Sequence, residues 1–350
     1  MTINKQNLPT THITEIVLPG LVEPTGLQIN QRPLPAPAKG EALIQMEATG
    51  VSFAEQQMRR GKYPAQPAFP FVPGYDLVGT VRAVGPEVSE SLIGTRVAAV
   101  IKVGGWATHV VLPANALIPV PEALDPALVE TVLVNGVTAW QMLYRKAHVQ
   151  PGQTILVHGA NGGVGTVLCQ IALHGGIRVI GTASPRHHEA LRAIGVAPVD
   201  YNASDLASRV AELAPEGVNA VFDHLGLTSA RESFKMLAPG GSLIAYGNAA
   251  AMKGATSPFV VFLQFIWQIT LWDLLPNSHS ATFYNFWGGS RIAPRAFRSR
   301  MHEDLTALLD LLGKGAINPP IAARFPLTEA SAAMTLAESR TVQGKVVLVP

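Results

Sequence analysis

Residues 154–165 read TILVHGANGGVG, a short apolar run followed by four glycines within eight residues. Ala160, Gly162 and Gly165 occupy the three small-residue places of the G-x-G-x-x-G pattern, with alanine in the first. The apolar run predicts a strand, and VGTVLCQIALHGG, which begins inside the pattern, predicts a helix. In this setting Gly162 lets a pyrophosphate approach the main chain, Gly165 lets helix and strand pack closely, and the helix N-terminus attracts phosphate. The pattern favours a dinucleotide-binding loop over a glycine-rich turn without a ligand.

The chain of 350 residues changes its pattern near residue 150. Between residues 13 and 120, short β-like runs alternate with Gly and Pro, which predicts a barrel-like β domain. From residue 150 onward, strand-like and helix-like runs alternate, which predicts βαβ units around a parallel sheet. The tail from about residue 295 joins a helix-like run to a closing strand, KVVLVP, and fits either domain. The sequence therefore predicts an α/β protein with two domains.

The composition argues against several classes of protein. The net charge is +2 and no Lys/Arg run is longer than two, so a nucleic-acid partner is not expected. The first 20 residues hold no basic cluster followed by a long apolar stretch, so no secretory signal is expected. Cys169 is the only cysteine, so an intrachain disulfide is impossible. These features together predict a cytoplasmic protein.

The most membrane-like segment, FVVFLQFIWQITLW, covers residues 259–272 and contains two glutamines. A membrane-spanning helix needs about 20 predominantly apolar residues, so this segment is too short to span. It is predicted to be a helix buried against another surface, and no transmembrane segment is expected.

The second strand-like run of the cofactor domain, IRVIGTAS, is not followed by an acidic residue. An NAD site usually places Asp or Glu there, about 20 residues after the glycine pattern, to bind the ribose hydroxyls. Here Ser184, Arg186 and His187 follow, and a hydroxyl with a cation suits a 2′-phosphate. The cofactor is therefore predicted to be NADPH. Tyr201, after the third strand, either covers the adenosine end or packs in the core.

Several stretches together carry a family resemblance. They are GVSFAEQQMRRGKYP (50–64), FPFVPGYDLVGTV (69–81), NGVTAW (135–140), ANGGVG (160–165) and GKVVLV (344–349). With these motifs the chain resembles the zinc-independent quinone oxidoreductase branch of the medium-chain dehydrogenase/reductase superfamily, the ζ-crystallin relatives. GTASPRHHEALRAIGV (181–196) and VDYNASD (199–205) are most similar to the vesicle amine transport protein-1 homologues.

The resemblance implies a fold and a domain plan. A GroES-like catalytic domain is expected from residues 1–133 and 289–350, with an NADP-binding Rossmann domain of residues 134–288 inserted into it. The nicotinamide is expected in the cleft between domains, beside GVSF, GKYP and NGVTAW, and a homodimer is expected. The cofactor-binding residues expected from the motifs and the resemblance are Asn135, Thr138, Gly159, Ala160, Gly162, Gly163, Val164, Gly165, Ser184, Arg186, His187, Tyr201, Leu225, Gly226, Tyr246, Gly247, Asn248, Phe286 and Trp287. For Phe286 and Trp287, core packing is the equal alternative.

No set of zinc ligands is apparent in the sequence. Cys169 lies in the middle of a predicted helix, and the only close histidine pair is the adjacent His187-His188. Gly74-Tyr75-Asp76 stands where the zinc enzymes of the superfamily read G-H-E. A metal-free protein is therefore predicted. Without a Lewis acid, the expected acceptors are already electrophilic: a quinone or an α,β-unsaturated carbonyl.

Two residues are expected to act on the acceptor. Tyr63, in GKYP, is predicted to hydrogen-bond the acceptor's carbonyl oxygen as charge develops; its alternative role is packing at the cleft wall. Ser52 stands where the family has an Asn near the nicotinamide. The expected activity is NADPH-dependent hydride transfer to a quinone or to the C=C of an enone. The alternatives are an enoyl-thioester reductase and a non-enzymatic lipid or membrane-surface protein that retains a nucleotide site.

Overall fold

The computed structural model describes residues 12–63, 66–247, 258–276, 278–339 and 341–350, with the backbone alone for 258–262. The chain forms two compact units. The first unit consists of Met1–Val134 and Pro320–Pro350, and the second unit of Asn135–Pro319.

The strands and helices are numbered in chain order. The strands are β1 (His12–Val17), β2 (Gln28–Pro33), β3 (Glu41–Val51), β4 (Asp76–Val84), β5 (Arg96–Val100), β6 (His109–Pro113), β7 (Ile118–Pro119), β8 (Thr154–His158), β9 (Arg178–Ala183), β10 (Ala197–Asp200), β11 (Val218–Asp223), β12 (Leu237–Ala245), β13 (Ser280–Phe283), β14 (Ile321–Pro326) and β15 (Lys345–Val349). The α-helices are α1 (Phe53–Arg59), α2 (Pro126–Val132), α3 (Val134–Trp140), α4 (Gly163–His174), α5 (His188–Ala193), α6 (Leu206–Leu213), α7 (Leu227–Lys235), α8 (Pro258–Leu274), α9 (Pro294–Gly313) and α10 (Ala330–Ser339).

The first unit is built on a mostly antiparallel sheet. Its strands follow the order β14-β15-β3-β4-β5-β7, with β6 also paired to β3, while β1 and β2 form a separate antiparallel pair. β15, at the end of the chain, pairs with β3 so that Val347 lies opposite Gly50. The buried core of this unit includes Ile44, Leu77 and Trp106. The C-terminal strands therefore complete the β domain that the N-terminal part of the chain begins.

The second unit contains a six-stranded, wholly parallel sheet in the order β10-β9-β8-β11-β12-β13. This is the order of a doubly wound nucleotide-binding sheet, in which the direction of winding reverses between β8 and β11. Every residue of β8, TILVH, is buried, as expected of a strand covered on both faces. The predicted α/β class with a parallel Rossmann sheet is confirmed.

The return to the first unit comes later in the chain than predicted. The sequence analysis places it at residue 289, whereas residues up to Pro319 belong to the second unit. The cause is α9, which is anchored to the residues that follow α3. Gln141 Nε2 donates to Asp304 Oδ2 at 2.7 Å, and Arg145 Nε donates to Asp304 Oδ1 at 2.8 Å. The second compact unit therefore extends beyond the predicted boundary at 289, because α9 is held to it by these hydrogen bonds.

Helix α8 corresponds to the apolar segment 259–272, and only one of its faces is covered. Phe265 and Ile269 are buried in the core of the second unit. On the other face, Leu263, Trp267, Leu271 and Leu274 are 50%, 71%, 41% and 76% exposed. The predicted helix is present, and among its described side chains one face is buried against the second unit while the other is exposed. No helix among the described residues combines the length and hydropathy needed to cross a membrane.

Candidate nucleotide and acceptor site

The structure brings most of the predicted nucleotide-binding residues to one edge of one sheet. They follow the carboxyl ends of β8, β9, β10, β11, β12 and β13, and parallel strands end at a common edge. In open α/β sheets ligands bind at this edge, near the point where the winding reverses. Asn248 lies outside the described residues. The second unit alone therefore presents a candidate nucleotide site.

The glycine loop connects β8 to α4 as the sequence predicts. Gly162 is the residue that caps the N-terminus of α4, and it is exposed, with Gly163 and Val164 partly exposed beside it. Gly165 is buried, and a Cβ there would overlap the Gly159 carbonyl and the Cα of Ala160. Only glycine fits at that point without moving the loop, so helix and loop pack in direct backbone contact. The exposed first turn of α4 leaves backbone N–H groups available to an anion.

A buried polar network that the sequence analysis missed holds this loop. The backbone N–H of Gly159 donates to Thr182 Oγ1 at 3.1 Å, and Thr182 Oγ1 lies 3.2 Å from His158 Nδ1. On its other side, His158 Nε2 lies 3.0 Å from Ser233 Oγ, which donates to Asp223 Oδ2 at 2.9 Å. All of these donors and acceptors are satisfied by a neutral imidazole that carries its proton on Nε2.

The charge state of His158 agrees with that arrangement. Burial lowers the pKa of His158, and the nearby Asp223 carboxylate opposes this shift only in part. The signal in the sequence was a polar residue at or next to the end of each of three apolar strands, namely His158, Thr182 and Asp223. This signal was weak because the three side chains meet only when β9, β8 and β11 lie side by side in the sheet, and the sequence does not show the order of the strands.

The ends of β9 and β10 bring the predicted 2′-phosphate residues together. The backbone N–H of Tyr201 donates to the carbonyl of Ala183 at 3.3 Å, which places Tyr201 beside Ser184. Arg186 is exposed, and its Nε donates to His187 Nε2 at 3.1 Å. Burial, followed by the charges of Arg186 and His188, lowers the pKa of His187, so the imidazole is a neutral acceptor. Tyr201 is 54% exposed, which excludes the core-packing alternative for its side chain.

The loops that follow β11 and β12 form the middle of the sheet edge at which the candidate nucleotide site lies. The Asp223 carboxylate accepts from the backbone N–H of Leu225 at 2.7 Å, and the Asp223 carbonyl accepts from the N–H of Tyr246 at 2.9 Å. Gly226 has φ +127°, a conformation that favours glycine. His224 was not predicted, although it lies between these loops. The Tyr246 hydroxyl is 3.4 Å from His224 Nδ1, and a Cβ at either Gly159 or Gly247 would contact His224.

The remaining predicted cofactor residues divide into two pairs. The Asn135 side-chain amide lies beside the glycine loop, because a Cβ at Gly163 would stand 2.7 Å from its Nδ2. Thr138, one turn further along α3, is buried. Trp287 stacks on Phe297 of α9 with ring centroids 5.7 Å apart, and Phe286 packs edge-on against Trp287. This packing supports the core alternative for Trp287.

The two predicted acceptor-contacting residues belong to the first unit. Ser52 caps the N-terminus of α1: its hydroxyl oxygen accepts from the N–H of Ala54, and Glu55 Oε2 accepts from the N–H of Ser52 at 2.8 Å. The Ser52 hydroxyl also donates to Glu55 Oε2. The Tyr63 phenol oxygen lies 2.7 Å from that of Tyr75, which the sequence analysis did not assign to the site. Both predicted residues are partly exposed.

Comparison with known proteins gives two matching family models. One, described as an alcohol dehydrogenase GroES-like domain, matches residues 38–122, and one described as a zinc-binding dehydrogenase matches residues 194–348. The synaptic vesicle membrane protein VAT-1 homolog of Homo sapiens is 31% identical over 343 residues, covering 96% of this chain and 86% of that protein. The 2-haloacrylate reductase of a Burkholderia species is 30% identical over 332 residues, covering 90% of this chain and 92% of that protein.

Two solved structures show the same likeness. A mycobacterial protein complexed with NADPH is 31% identical, with a TM-score of 0.80 over 97% of this chain and 100% of that chain. A quinone oxidoreductase of Pseudomonas syringae is 26% identical, with a TM-score of 0.80 over the same shares. The chain therefore belongs to the medium-chain dehydrogenase/reductase superfamily, an oxidoreductase family. Within it, the chain lies in the zinc-independent quinone oxidoreductase branch, close to the VAT-1 homologues.

The description of one family model raises the question of zinc, and the donor set does not fit it. Structural and catalytic zinc sites use at least three Cys, His or carboxylate ligands. Among the described residues, no three such side chains are grouped to hold a metal ion. At the position of the zinc enzymes' histidine stands Tyr75, whose phenol bonds to Tyr63. Burial raises the pKa of Cys169 to about 12, so this thiol is neutral. That the protein is metal-free stays a prediction.

Proposed function

We propose that the chain is an NADPH-dependent oxidoreductase that transfers hydride to a quinone or to the C=C of an α,β-unsaturated carbonyl. The observation that carries the proposal is the composition of one sheet edge. A glycine loop opens the 12-residue helix α4 there. The neighbouring strand β9 is followed by Ser184 and Arg186 and by no acidic residue directly after it. The mycobacterial relative solved with NADPH supports the choice of cofactor.

The residues of this edge fit the parts of NADPH. The backbone N–H groups of Gly163 and Val164, in the first turn of α4, would hold the pyrophosphate. Arg186 and Ser184 would hold the 2′-phosphate, because a guanidinium and a hydroxyl both donate to phosphate oxygens. The exposed ring of Tyr201 would cover the adenosine. The cofactor supplies hydride when bound, and these residues orient it.

The chemistry of the acceptor follows from the side chains expected to touch it. Ser52 and Tyr63 offer hydrogen bonds and no Lewis acid. One such donor aimed at a developing oxyanion is worth about 3 kcal/mol, or about a hundredfold in rate. That amount suffices for an acceptor that is already electron-poor, such as a quinone or an enone, and falls short for a saturated ketone. The names of two relatives, quinone oxidoreductase and 2-haloacrylate reductase, support acceptors of this kind.

The test measures NADPH consumption by the purified protein with a panel of quinones, enones and enoyl thioesters. A second assay measures the oxidation of simple secondary alcohols with NADP⁺. Reduction of a quinone or an enone is expected. Preference for the thioesters would identify an enoyl-thioester reductase. Efficient, reversible oxidation of secondary alcohols, with no activity on any quinone or enone, would show that the assigned chemistry is wrong.

A second candidate function rests on the exposed face of α8. Leu263, Trp267, Leu271 and Leu274 recur at helical spacing and are all at least 41% exposed, an arrangement typical of a surface that binds a membrane or a partner. The relatives named synaptic vesicle membrane protein add support. Sedimentation with lipid vesicles tests this candidate. The unaltered protein is expected to co-sediment with the vesicles, and the Trp267→Asp variant is not. If the two proteins bind the vesicles equally, this candidate function is wrong.

A further inference from the structure

Four ionisable side chains from four elements meet inside the first unit. Glu55 of α1, Asp76 of β4, Glu130 of α2 and Lys345 of β15 are each at most 4% exposed. Lys345 Nζ lies 3.1 Å from Glu130 Oε1 and 3.9 Å from Asp76 Oδ2. We call these four residues the buried carboxyl cluster. Nothing in the nucleotide site of the second unit accounts for it.

Strand β3, which lies between β4 and β15, makes room for the cluster. A Cβ at Gly50 would overlap the Glu130 carboxylate and the Lys345 side chain, so the ion pair occupies the space that a side chain would fill. The preceding residue, Thr49, donates its hydroxyl to the backbone carbonyl of Asp76 at 2.6 Å and not to a carboxylate. Neither the Thr49 side chain nor Gly50 therefore supplies a hydrogen-bond donor or an opposite charge to the carboxylates.

The cluster has three carboxyl groups and one ammonium group, and full ionisation would bury a net charge of −2. An uncompensated buried charge costs several kcal/mol, so proteins avoid it by binding a proton. Burial, then the neighbouring Asp76 carboxylate, raises the pKa of Glu130 well above its usual range and also raises that of Glu55. Burial lowers the pKa of Lys345, but Asp76, Glu130 and Glu55 together raise it further. The favoured state keeps Lys345 charged and at least one carboxyl protonated.

Hydrogen bonding inside the cluster is incomplete. Glu55 Oε1, both carboxylate oxygens of Asp76 and of Glu130, and Lys345 Nζ have no hydrogen-bond partner among the described residues. Lys345 Nζ nevertheless lies only 3.1 Å from Glu130 Oε1, and Lys345 and Asp76 both act on the pKa of Glu130 as hydrogen-bond partners, Lys345 lowering it and Asp76 raising it. A proton can pass between two of these groups once a small side-chain movement aligns a hydrogen bond between them.

One member of the cluster reaches the surface through a single contact. Glu55 Oε2 accepts from both the backbone N–H and the hydroxyl of Ser52, and Ser52 is partly exposed. Ser52 thus joins the sealed cluster to the place where the acceptor is proposed to bind. The Ser52 side chain therefore both caps the N-terminus of α1 and is the partly exposed group that bonds to the cluster.

We propose that the buried carboxyl cluster is the proton source of the reduction and that it delivers its proton through Glu55 and Ser52. This inference rests on the proposed function. After hydride has been added, the acceptor is an enolate or a hydroquinone anion. For delivery the Ser52 hydroxyl turns its hydrogen to the acceptor, and Glu55, protonated on Oε2, donates to Ser52 Oγ across the same contact. The Ser52 O–H bond then breaks as its proton passes to the enolate carbon or the hydroquinone oxygen, and the Glu55 Oε2–H bond breaks as that proton passes to Ser52 Oγ. Glu55 is left as a carboxylate beside Lys345, and one proton from solvent restores the cluster for each NADPH oxidised.

The stored proton is measured without any acceptor by infrared titration. The unaltered protein at neutral pH is expected to show the carbonyl stretch of a protonated carboxyl group, and Glu130→Gln is expected to lose it or shift its titration. A spectrum at neutral pH with every carboxyl group ionised would overturn the inference. This measurement does not depend on NADPH turnover.

Delivery through Glu55 is measured by kinetics on an enone. Glu55→Gln keeps the side-chain length and the oxygen that caps Ser52 but cannot supply a proton, so kcat should fall by about a hundredfold. The KM for NADPH should stay within about twofold, because Glu55 is buried in the first unit and the proposed nucleotide-binding residues belong to the second. Glu55→Asp should restore part of the rate. The unaltered protein should lose kcat as pH rises through the raised pKa of the cluster, while Glu55→Gln should lack that decline.

Glu15→Gln is the matched control, since Glu15 is a 6%-exposed carboxylate of the same unit that bonds to Asn30 and Arg32. It should keep the rate and the pH profile of the unaltered protein. A folded Glu55→Gln variant with unchanged kcat and pH profile would overturn the relay alone, leaving the proposed function intact. If instead the unaltered protein consumes no NADPH with any acceptor, the proposed function fails, and the delivery step fails with it.

Discussion

The phenol oxygens of Tyr63 and Tyr75 lie 2.7 Å apart, and their rings meet edge to face at 82° with centroids separated by 6.1 Å. Tyr75 is 3% exposed and is held in the core of the first unit, whereas Tyr63 is partly exposed. A buried tyrosine therefore fixes the phenol of a more exposed one. Tyr75 stands where the zinc enzymes of the superfamily have a histidine, and its phenol holds that of Tyr63.

This pair gives the first prediction. Tyr63→Phe should lower kcat with an enone by about a hundredfold, because it removes a donor to the developing oxyanion. Tyr75→Phe should lower it by about fivefold, because a single positioning hydrogen bond contributes about 1 kcal/mol. NADPH affinity, followed by fluorescence titration, should be unchanged in both variants. A larger loss from Tyr75→Phe than from Tyr63→Phe would reverse the roles assigned here.

Cofactor preference gives the second prediction. Arg186→Glu should lower kcat/KM for NADPH by about ten- to a hundredfold, because one charge-assisted hydrogen bond to the 2′-phosphate is worth about 1.5–3 kcal/mol. NADH, which lacks that phosphate, should be used as well as before or better. Arg192→Glu, an exposed arginine of α5 outside the site, serves as the control for the change in charge. Equal kinetic parameters for NADPH and NADH in the unaltered protein would contradict the assignment of Arg186.

Gly165 gives the third prediction. Gly165→Ala should destabilise the protein by about 1–3 kcal/mol, because the added methyl overlaps the Gly159 carbonyl and Ala160. It should also weaken NADPH binding, because the loop must move. Gly313→Ala is the control: at the end of α9 a Cβ meets nothing within 4 Å, so no loss is expected. The measurement is chemical denaturation with and without NADPH. Wild-type stability and affinity in Gly165→Ala would refute the close approach of α4 and the loop.

His158 gives the fourth prediction, which concerns pH. Because burial lowers the pKa of His158 in the folded protein, the unfolded chain binds its proton first as pH falls below about 6.5. Stability is therefore fully present above that pH. It falls as pH drops from about 6.5 to the lowered folded pKa, by at most about 1.4 kcal/mol per pH unit.

His158→Gln should reduce this slope, because glutamine takes up no proton. His174→Gln, at an exposed position on α4, should keep it. The free energy of unfolding at about pH 5.5 and about pH 7.5 measures the effect. If the His158→Gln protein shows the same difference between the two pH values as the unaltered protein, His158 does not bind its proton differently in the folded and unfolded states.

The parallel sheet and its glycine loop could be predicted because their signals are local. Thr154–Val157 is an apolar run, and the glycines follow it directly. The late return to the first unit could not be predicted, because it depends on Gln141 meeting Asp304, two residues far apart in the chain. The same holds for the buried carboxyl cluster. Glu130 and Lys345 look like ordinary surface charges in the sequence. The pairing of β15 with β3 brings Lys345 to Gly50, and the packing of α2 on β3 brings Glu130 there.

The position of α8 shows a different limit of the sequence. Its apolar content predicts burial, yet Trp267 is 71% exposed while Phe265, two residues away, is fully buried. A helix that is apolar all round has no polar face to indicate which side is covered. Only the position of the neighbouring strand, β13, decides which side chains pack inward.

The most direct test of the central claim is the destination of the hydride. The protein is incubated with an enone and NADPH that carries deuterium at both C4 positions, and the product is analysed by mass spectrometry and NMR. We predict one deuterium on the β-carbon of a saturated ketone, with a solvent-derived proton on the α-carbon. Deuterium on the carbonyl carbon of an allylic alcohol, or no transfer to any enone or quinone, would contradict the account.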